Sequence, residues 1–162
     1  MSATDLDDGR RGPYSSEVHL ALRLVHLMSA AVWFAASLTL AGDVRRSLNR
    51  GGAAAAGMVE RARRVLSLSS AAGVATLATG VALIFVLGGF KVVPVRVHAG
   101  LGLALVALAI EATALGKALG AVAAAVARDD ADGARAGARR IAALTGVLHL
   151  LRSAIFVVMV LR

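Results

Sequence analysis

Four long apolar stretches, separated by shorter polar segments, make up most of the chain. Each has about 20 residues or more, the length that a helix needs to cross roughly 30 Å of hydrocarbon. The stretches are rich in Ala, Leu and Val and show no period-2 alternation, which favours helices over barrel strands. The predicted spans cover about residues 20–41, 65–87, 95–115 and 141–161. The pattern therefore predicts an all-α integral membrane protein with an antiparallel four-helix bundle.

Composition supports this prediction. Of the 162 residues, 58% are hydrophobic and 17% are charged, whereas a soluble domain has about 45–50% and 25%. We expect a single transmembrane domain at residues 18–162, preceded by a disordered outer tail at residues 1–17. The absence of cysteine excludes disulfides, thiolate metal sites and thiol catalysis. The motifs of common hydrolases and phosphoryl transferases are missing, so those activities are not expected.

Lys and Arg residues lie mainly on one side of the predicted spans. The connection between spans one and two and that between spans three and four together carry eleven, whereas the other side carries five. The positive-inside rule then puts the eleven in the cytoplasm and both termini outside, in a bacterial-type inner membrane. We interpret the net charge of +8 as a topology signal, with the lipid bilayer as partner and no nucleic acid. Assembly into a homo-oligomer or into a larger membrane complex is an alternative that these features leave open.

The two cytoplasmic connections are predicted to be partly helical. Residues 53–64 lead into the second span without a breaker after Gly57, and residues 117–128 continue the third span. The acidic residues of segment 129–133 stop that helix and favour the N-terminus of the next one. We therefore expect the last two long helices to form a hairpin that projects into the cytoplasm.

Polar residues inside the spans recur at helical spacing. Such a stripe is expected to face the bundle, because exposing Arg or His to lipid is costly. The stripe of span two has only small residues, which allow close helix approach or leave room for a flat ligand. The stripes are His19, Arg23, His26, Trp33 and Ser37 in span one, Ser69, Gly73, Thr76 and Gly80 in span two, and Thr145, His149, Arg152 and Phe156 in span four.

Counting residues from the span ends places four candidate cofactor-binding residues in the outer half: His26, His98, His149 and Arg152. Imidazoles from two helices can bind haem iron or copper in a bundle, and His26 and His98 are the candidate metal ligands. Arg152 or Arg23 would pair with a haem propionate. Alternatively, each His bonds a neighbouring carbonyl, and Arg23 snorkels outward. By the same counting Glu111 lies near the inner side, where we expect it to snorkel or to pair with a cytoplasmic Arg.

Residues 24–35 place a His seven residues before a Trp, and small residues follow. A basic exit at Asp43-Val44-Arg45-Arg46 comes next, and residues 58–64 form an amphipathic lead into span two. This layout resembles a superfamily of small four-span bacterial membrane proteins that includes the HemJ-type protoporphyrinogen oxidases and the CopD copper-resistance domain. The resemblance covers roughly residues 18–162 through short motifs, and it implies that His26 is a haem ligand.

The start of span three, Val97-His98-Ala99-Gly100, resembles the His-Ala-Lys start of that span in the HemJ type. In those proteins the Lys is taken to be the second haem ligand, but the aligned position here is Gly100. The resemblance therefore does not carry the oxidase chemistry over to this chain. It leaves three alternatives: His98 takes over as ligand, an exogenous ligand fills the position, or no haem binds.

Three functions are consistent with these features. The first is a membrane protein that binds haem b between its helices in a redox role. The second is copper handling of the CopD type, for which Met28 and Met159 would be further candidate ligands. The third is an accessory or structural subunit of a larger membrane complex, which the short loops and alanine-rich spans favour.

Overall fold

The computed structural model of the protein describes residues 13–160, with side-chain surroundings from Ser16 onward. All regular structure in this range is helical. A π-helical turn at Glu111–Leu115 joins α4 to α5 without a break. The helices are α1 (Pro13–Ala36), α2 (Leu40–Arg50), α3 (Gly52–Val86), α4 (Val95–Ile110), α5 (Gly116–Ala127) and α6 (Ala131–Val160).

The predicted apolar stretches all lie in long helical segments. Within the described residues, four segments are long and apolar enough to cross a membrane: Ser16–Arg50, Gly52–Val86, Val95–Ala127 and Ala131–Val160. The exterior of these segments is also apolar, with Leu, Val and Phe side chains such as Leu150 and Phe156 mostly exposed. Such a surface suits a lipid environment, since soluble monomers rarely expose large contiguous apolar patches. These findings suggest a multi-pass membrane protein.

The helical extensions of spans two and three are confirmed. Residues 53–64 belong to α3, and α5 continues the third segment to Ala127. Asp129 then takes a left-handed conformation with φ of 56°, which ends the helix. The Asp130 carboxylate accepts a hydrogen bond from the Gly133 backbone N–H at 2.8 Å and so caps the start of α6.

The ends of the chain differ in part from the prediction. Helix α1 begins at Pro13, so residues 13–17 of the predicted tail are helical. Residues 1–12 and 161–162 lie outside the described residues, and the rest of the tail prediction falls there.

The most extensive packing is of α1 against α3 and of α6 against both α4 and α5. Trp33 lies against Gly73 and His26 lies against Gly80, so residue numbers rise along α1 as they fall along α3. A methyl group on Gly73 would approach Trp33 Nε1 to 2.8 Å, closer than real side chains come. The small residues of the second stripe therefore permit close helix approach, which was the first of the two uses predicted for them.

Candidate functional site

A buried ion pair joins α6 to the third apolar segment. The Arg152 guanidinium donates through Nη2 to Glu111 Oε2, and both residues are almost fully buried, at 3% and 0% exposure. Burying either charge alone would be expensive, so each needs the other. Glu111 is the only acidic residue in the four predicted spans.

Polar side chains from the neighbouring helices complete the surroundings of the pair. Arg152 Nη1 donates to Ser37 Oγ at 2.6 Å, and Nη2 is 3.3 Å from Ser69 Oγ. Trp33 Nε1 donates to Glu111 Oε2 at 2.9 Å. The Arg152 Cζ atom also lies 4.9 Å from the Trp33 ring centroid, within the range of a cation–π contact. The pair thus links all four long helical segments.

Two helix irregularities occur where these partners lie. The chain leaves helical geometry at Ser37–Thr39, between α1 and α2. The π-helical turn begins at Glu111. Such turns are rare inside helices and frequently occur at functional sites. Both irregularities therefore coincide with side chains that contact Arg152.

The expected position of Glu111 was wrong. It lies beside Arg152 rather than near a cytoplasmic Arg. The error came from counting depth from the end of the predicted span at residue 115. The helical segment continues to Ala127, and Glu111 is the midpoint of Val95–Ala127. A buried acid in mid-segment cannot reach water, so it pairs with the one deeply buried base.

A cavity of about 970 Å³ extends from the ion pair between α1, α3, α4 and α6. Its size is in the range of known cofactor and ligand sites, about 300–1,000 Å³. Its walls are almost entirely apolar, and His26, Thr76 and Arg152 are the main polar residues that line it. The cavity runs from Trp33 and Arg152 at one end toward Leu87 and Val160 at the other, and its size would accommodate a flat apolar ligand.

His26 lies on the wall of this cavity with one ring nitrogen fixed by α3. His26 Nδ1 is 3.1 Å from the Thr76 carbonyl oxygen and 3.0 Å from Thr79 Oγ1. The carbonyl can only accept, and the Thr79 hydroxyl already donates to the Ala75 carbonyl at 2.7 Å. A proton on Nδ1 satisfies both contacts, and in that tautomer the Nε2 lone pair is available to a ligand.

The other predicted imidazoles do not reach the cavity. His98 is exposed on α4, with its ring centroid 5.9 Å from that of Phe90. His149 Nδ1 is 2.6 Å from the Thr145 carbonyl oxygen of its own helix, as the carbonyl alternative for this residue predicted. Its Nε2 is buried without a described partner, and the ring stands edge-on to Phe34. His26 and His98 therefore do not come together as a metal site.

The polar stripe of span one is buried along only part of its length. Trp33 and Ser37 are buried and His26 is half-buried against α3, as predicted. Arg23 is exposed and does not lie in the bundle interface. It is near the N-terminal end of the stripe, where its long side chain can snorkel to solvent, as the alternative for this residue predicted.

Met159 is the other potential ligand on the cavity wall. Its side chain packs directly against Gly100 on α4, on the wall opposite the α1–α3 pair. Met159 is seven residues from Arg152 and His26 is seven residues from Trp33, about 10 Å along each helix at 1.5 Å per residue. Because Arg152 stacks on Trp33, His26 and Met159 lie at similar depth along the cavity.

Within the described side chains, no three His, Asp or Glu residues lie close enough to hold a metal ion by themselves. A metal would therefore need a cofactor ring or other ligands in addition to His26. No family model, no curated protein and no solved structure matches this chain.

Proposed function

We propose that this multi-pass membrane protein is an antiparallel four-helix bundle with both termini outside, and that it binds haem b in the cavity through His26 in a redox role. The observation that carries the proposal is the position and hydrogen bonding of the His26 ring. Its Nδ1 is bonded to α3 while the residue lines a large apolar cavity. A ligating His almost always donates its second ring N–H to a carbonyl, a carboxylate or water. Thr76 supplies that carbonyl here.

Met159 would be the second residue of this chain to hold the haem, together with His26. It lines the same cavity as His26, at similar depth and from the α4–α6 side. Paired His and Met ligands are found in haem electron-transfer proteins. Gly100, which aligns with the HemJ-type Lys, lines the cavity beneath Met159, so a thioether occupies the space that a longer residue at position 100 would need.

Arg23 and Arg152 differ in how well each could pair with a haem propionate. Arg152 is already neutralised by Glu111, so it is a poor partner for a propionate. Arg23 lies one turn before His26, is exposed and has no carboxylate partner among the described residues. We infer that Arg23 would hold the propionates, and that the apolar lining near Trp33 would hold the rest of the haem. The bound haem would supply one-electron chemistry, while the chain's residues bind it and exclude water.

The visible absorption spectrum of detergent-purified protein, expressed with added haem, tests this proposal. We expect a Soret band with sharp reduced α and β bands. His26→Ala should abolish the band, whereas His19→Ala should leave it intact, because His19 does not line the cavity. Both variants need the same monodispersity in detergent as the parent. A folded but colourless parent protein would overturn the proposal.

A second candidate, a cofactor-free accessory subunit of a membrane complex, is supported by the ion pair. Glu111 and Ser37 bind the two terminal nitrogens of Arg152 without any ligand, although its Nε is buried without a described partner. A purely structural bundle would need only such internal contacts. Copper handling remains the third alternative, with His26 and Met159 as the ligands the cavity offers. Absence of both colour and bound copper after purification would favour the subunit.

A further inference from the structure

A second cleft lies between α2 and α6, apart from the cavity and the ion pair. Its volume is about 530 Å³. Three guanidinium groups line it, Arg45 from α2 and Arg135 and Arg139 from α6, together with the amide of Asn49. The remaining lining residues are small or apolar: Ala41, Gly42, Leu48, Ala138 and Ala142.

The positive charge in this cleft is largely uncompensated. Arg45 and Arg139 have no carboxylate partner in the part of the chain that the structure describes. Arg135 pairs with Asp132 at 2.9 Å, but that pair is exposed and therefore weak. Asp43 is the nearest acid in sequence to Arg45, and it bonds Arg61 of α3 instead. Cationic groups thus face the cleft from both of its walls.

The cleft also lies where the predicted spans end. Ala41 is the last residue of the first predicted span, and Ala142 is near the start of the fourth. Arg45 and Arg139 lie about one turn beyond those residues, four and three positions away. The cleft therefore combines apolar walls on the side of the spans with guanidinium groups on the side of the polar connections.

We propose that this cleft binds the phosphate headgroup of an anionic phospholipid. The planar fork of Arg fits phosphate oxygens in pairs, and basic pockets between membrane helices on the cytoplasmic side bind such headgroups. Arg45 and Arg139 contact the phosphate from opposite walls, and Asn49 donates to the headgroup. The acyl chains continue along the apolar exterior of α1 and α6. A soluble phosphate compound would use the same arginines but not the apolar walls.

Native mass spectrometry of the delipidated, detergent-solubilised protein tests this proposal with two lipids, phosphatidylglycerol and phosphatidylcholine. We expect the parent protein to retain phosphatidylglycerol preferentially. The double variant Arg45→Gln/Arg139→Gln should lower the phosphatidylglycerol-bound fraction by about tenfold. The matched control is Arg63→Gln/Arg140→Gln, which removes two exposed charges that do not line the cleft. It should bind as the parent does.

Three results would overturn the proposal. Equal losses in both double variants would show general surface attraction rather than a site. No preference for phosphatidylglycerol in the parent protein would exclude the site without any substitution, so the test does not depend on the variants folding. Displacement of the lipid by millimolar glycerol 3-phosphate would assign the cleft to a soluble phosphate compound.

Discussion

Glu111 and Arg152 are 41 residues apart in sequence, yet they form a fully buried ion pair at the centre of the helix packing. The pair connects α6 to the π-helical turn, and Trp33 and Ser37 attach it to the end of α1. Together with the contact to Ser69 of α3, these bonds fix the relative heights of the four long helical segments. The cavity lined by His26 begins directly beside the pair.

Breaking the pair on one side should be more harmful than removing both sides. Arg152→Met leaves the Glu111 carboxylate buried without a counter-charge, which we expect to lower the free energy of unfolding by roughly 3–5 kcal/mol. Glu111→Leu/Arg152→Met should recover most of that loss. Unfolding in mixed detergent micelles by added dodecyl sulfate measures both values.

The matched control for this prediction is Arg140→Met. Arg140 is exposed on α6, the helix of Arg152, so its loss should change the free energy of unfolding by at most about 0.5 kcal/mol. An Arg152→Met variant as stable as Arg140→Met would mean that the pair does not stabilise the bundle.

Close contact of α1 and α3 should depend on Gly73. In Gly73→Ala the new methyl carbon would lie 2.8 Å from Trp33 Nε1 and 3.0 Å from Leu108 Cδ1, so the indole must move away from Glu111. We expect a loss of about 1–3 kcal/mol in stability, as for other overpacked sites. Trp33 is the only tryptophan of the chain, so a change in fluorescence reports its displacement directly.

Gly102→Ala is the corresponding control on α4. Nothing lies within 4 Å of a methyl group at this position, and Ala is the better helix former. The stability of Gly102→Ala should equal or slightly exceed that of the parent protein, and its Trp33 fluorescence should match the parent's. Similar behaviour of the two variants would show that the α1–α3 contact at Gly73 is looser than described.

If haem binds, loss of the Met159 thioether should change the spin state of the iron but should not release the haem from the protein. In Met159→Leu the apolar packing against Gly100 is kept but the thioether is lost. We expect the Soret band to persist with a shift from low-spin to high-spin features, measured by absorption and electron paramagnetic resonance. Leu101→Met adds a thioether elsewhere on the cavity wall and should not restore the low-spin spectrum in the Met159→Leu background. An unchanged low-spin spectrum in Met159→Leu would exclude Met159 as ligand.

The orientation can be tested cleanly because the chain has no cysteine of its own. Single cysteines at the exposed positions Ala53 and Ala131 should resist an impermeant thiol reagent in intact cells, while one at Val92 should react. The reason is the excess of basic residues in the two connections that contain Ala53 and Ala131. The reverse labelling pattern would place both termini in the cytoplasm.

The sequence was a good guide to individual helices because the signals for them are local. The four apolar stretches, the helical extensions at residues 53–64 and 117–128, and the stop at Asp129 follow from hydropathy, length and turn chemistry. The stripe spacing also identified Trp33 and Ser37 as inward-facing, since a helix repeats its faces every 3.6 residues. The predicted haem site stays a prediction.

What the sequence could not supply was the relative height of the helices. The spacing of residues within a helix predicts which face carries a charged side chain. Which residue of a neighbouring helix lies at the same height depends on how Trp33 packs against Gly73 and on where α5 and α6 end. Counting from predicted span ends therefore missed the contact of Glu111 with Arg152. It also offered His98 or His149 as a partner for His26, although neither lines the cavity that His26 lines. One signal in the sequence could have predicted this pair: Glu111 is the only acidic residue within the predicted spans, and Arg152 is a base deep within the fourth span.

The sequence by itself determined that this protein is built of four long apolar helices, and it determined which faces of those helices are polar, because both properties are set by residues close together in the chain. Only the tertiary structure decided which polar faces meet. The pairing of Glu111 with Arg152, the cavity beside His26 and the cleft between α2 and α6 all depend on contacts between helices. Those contacts are governed by side-chain shape at close approach, which no local pattern encodes.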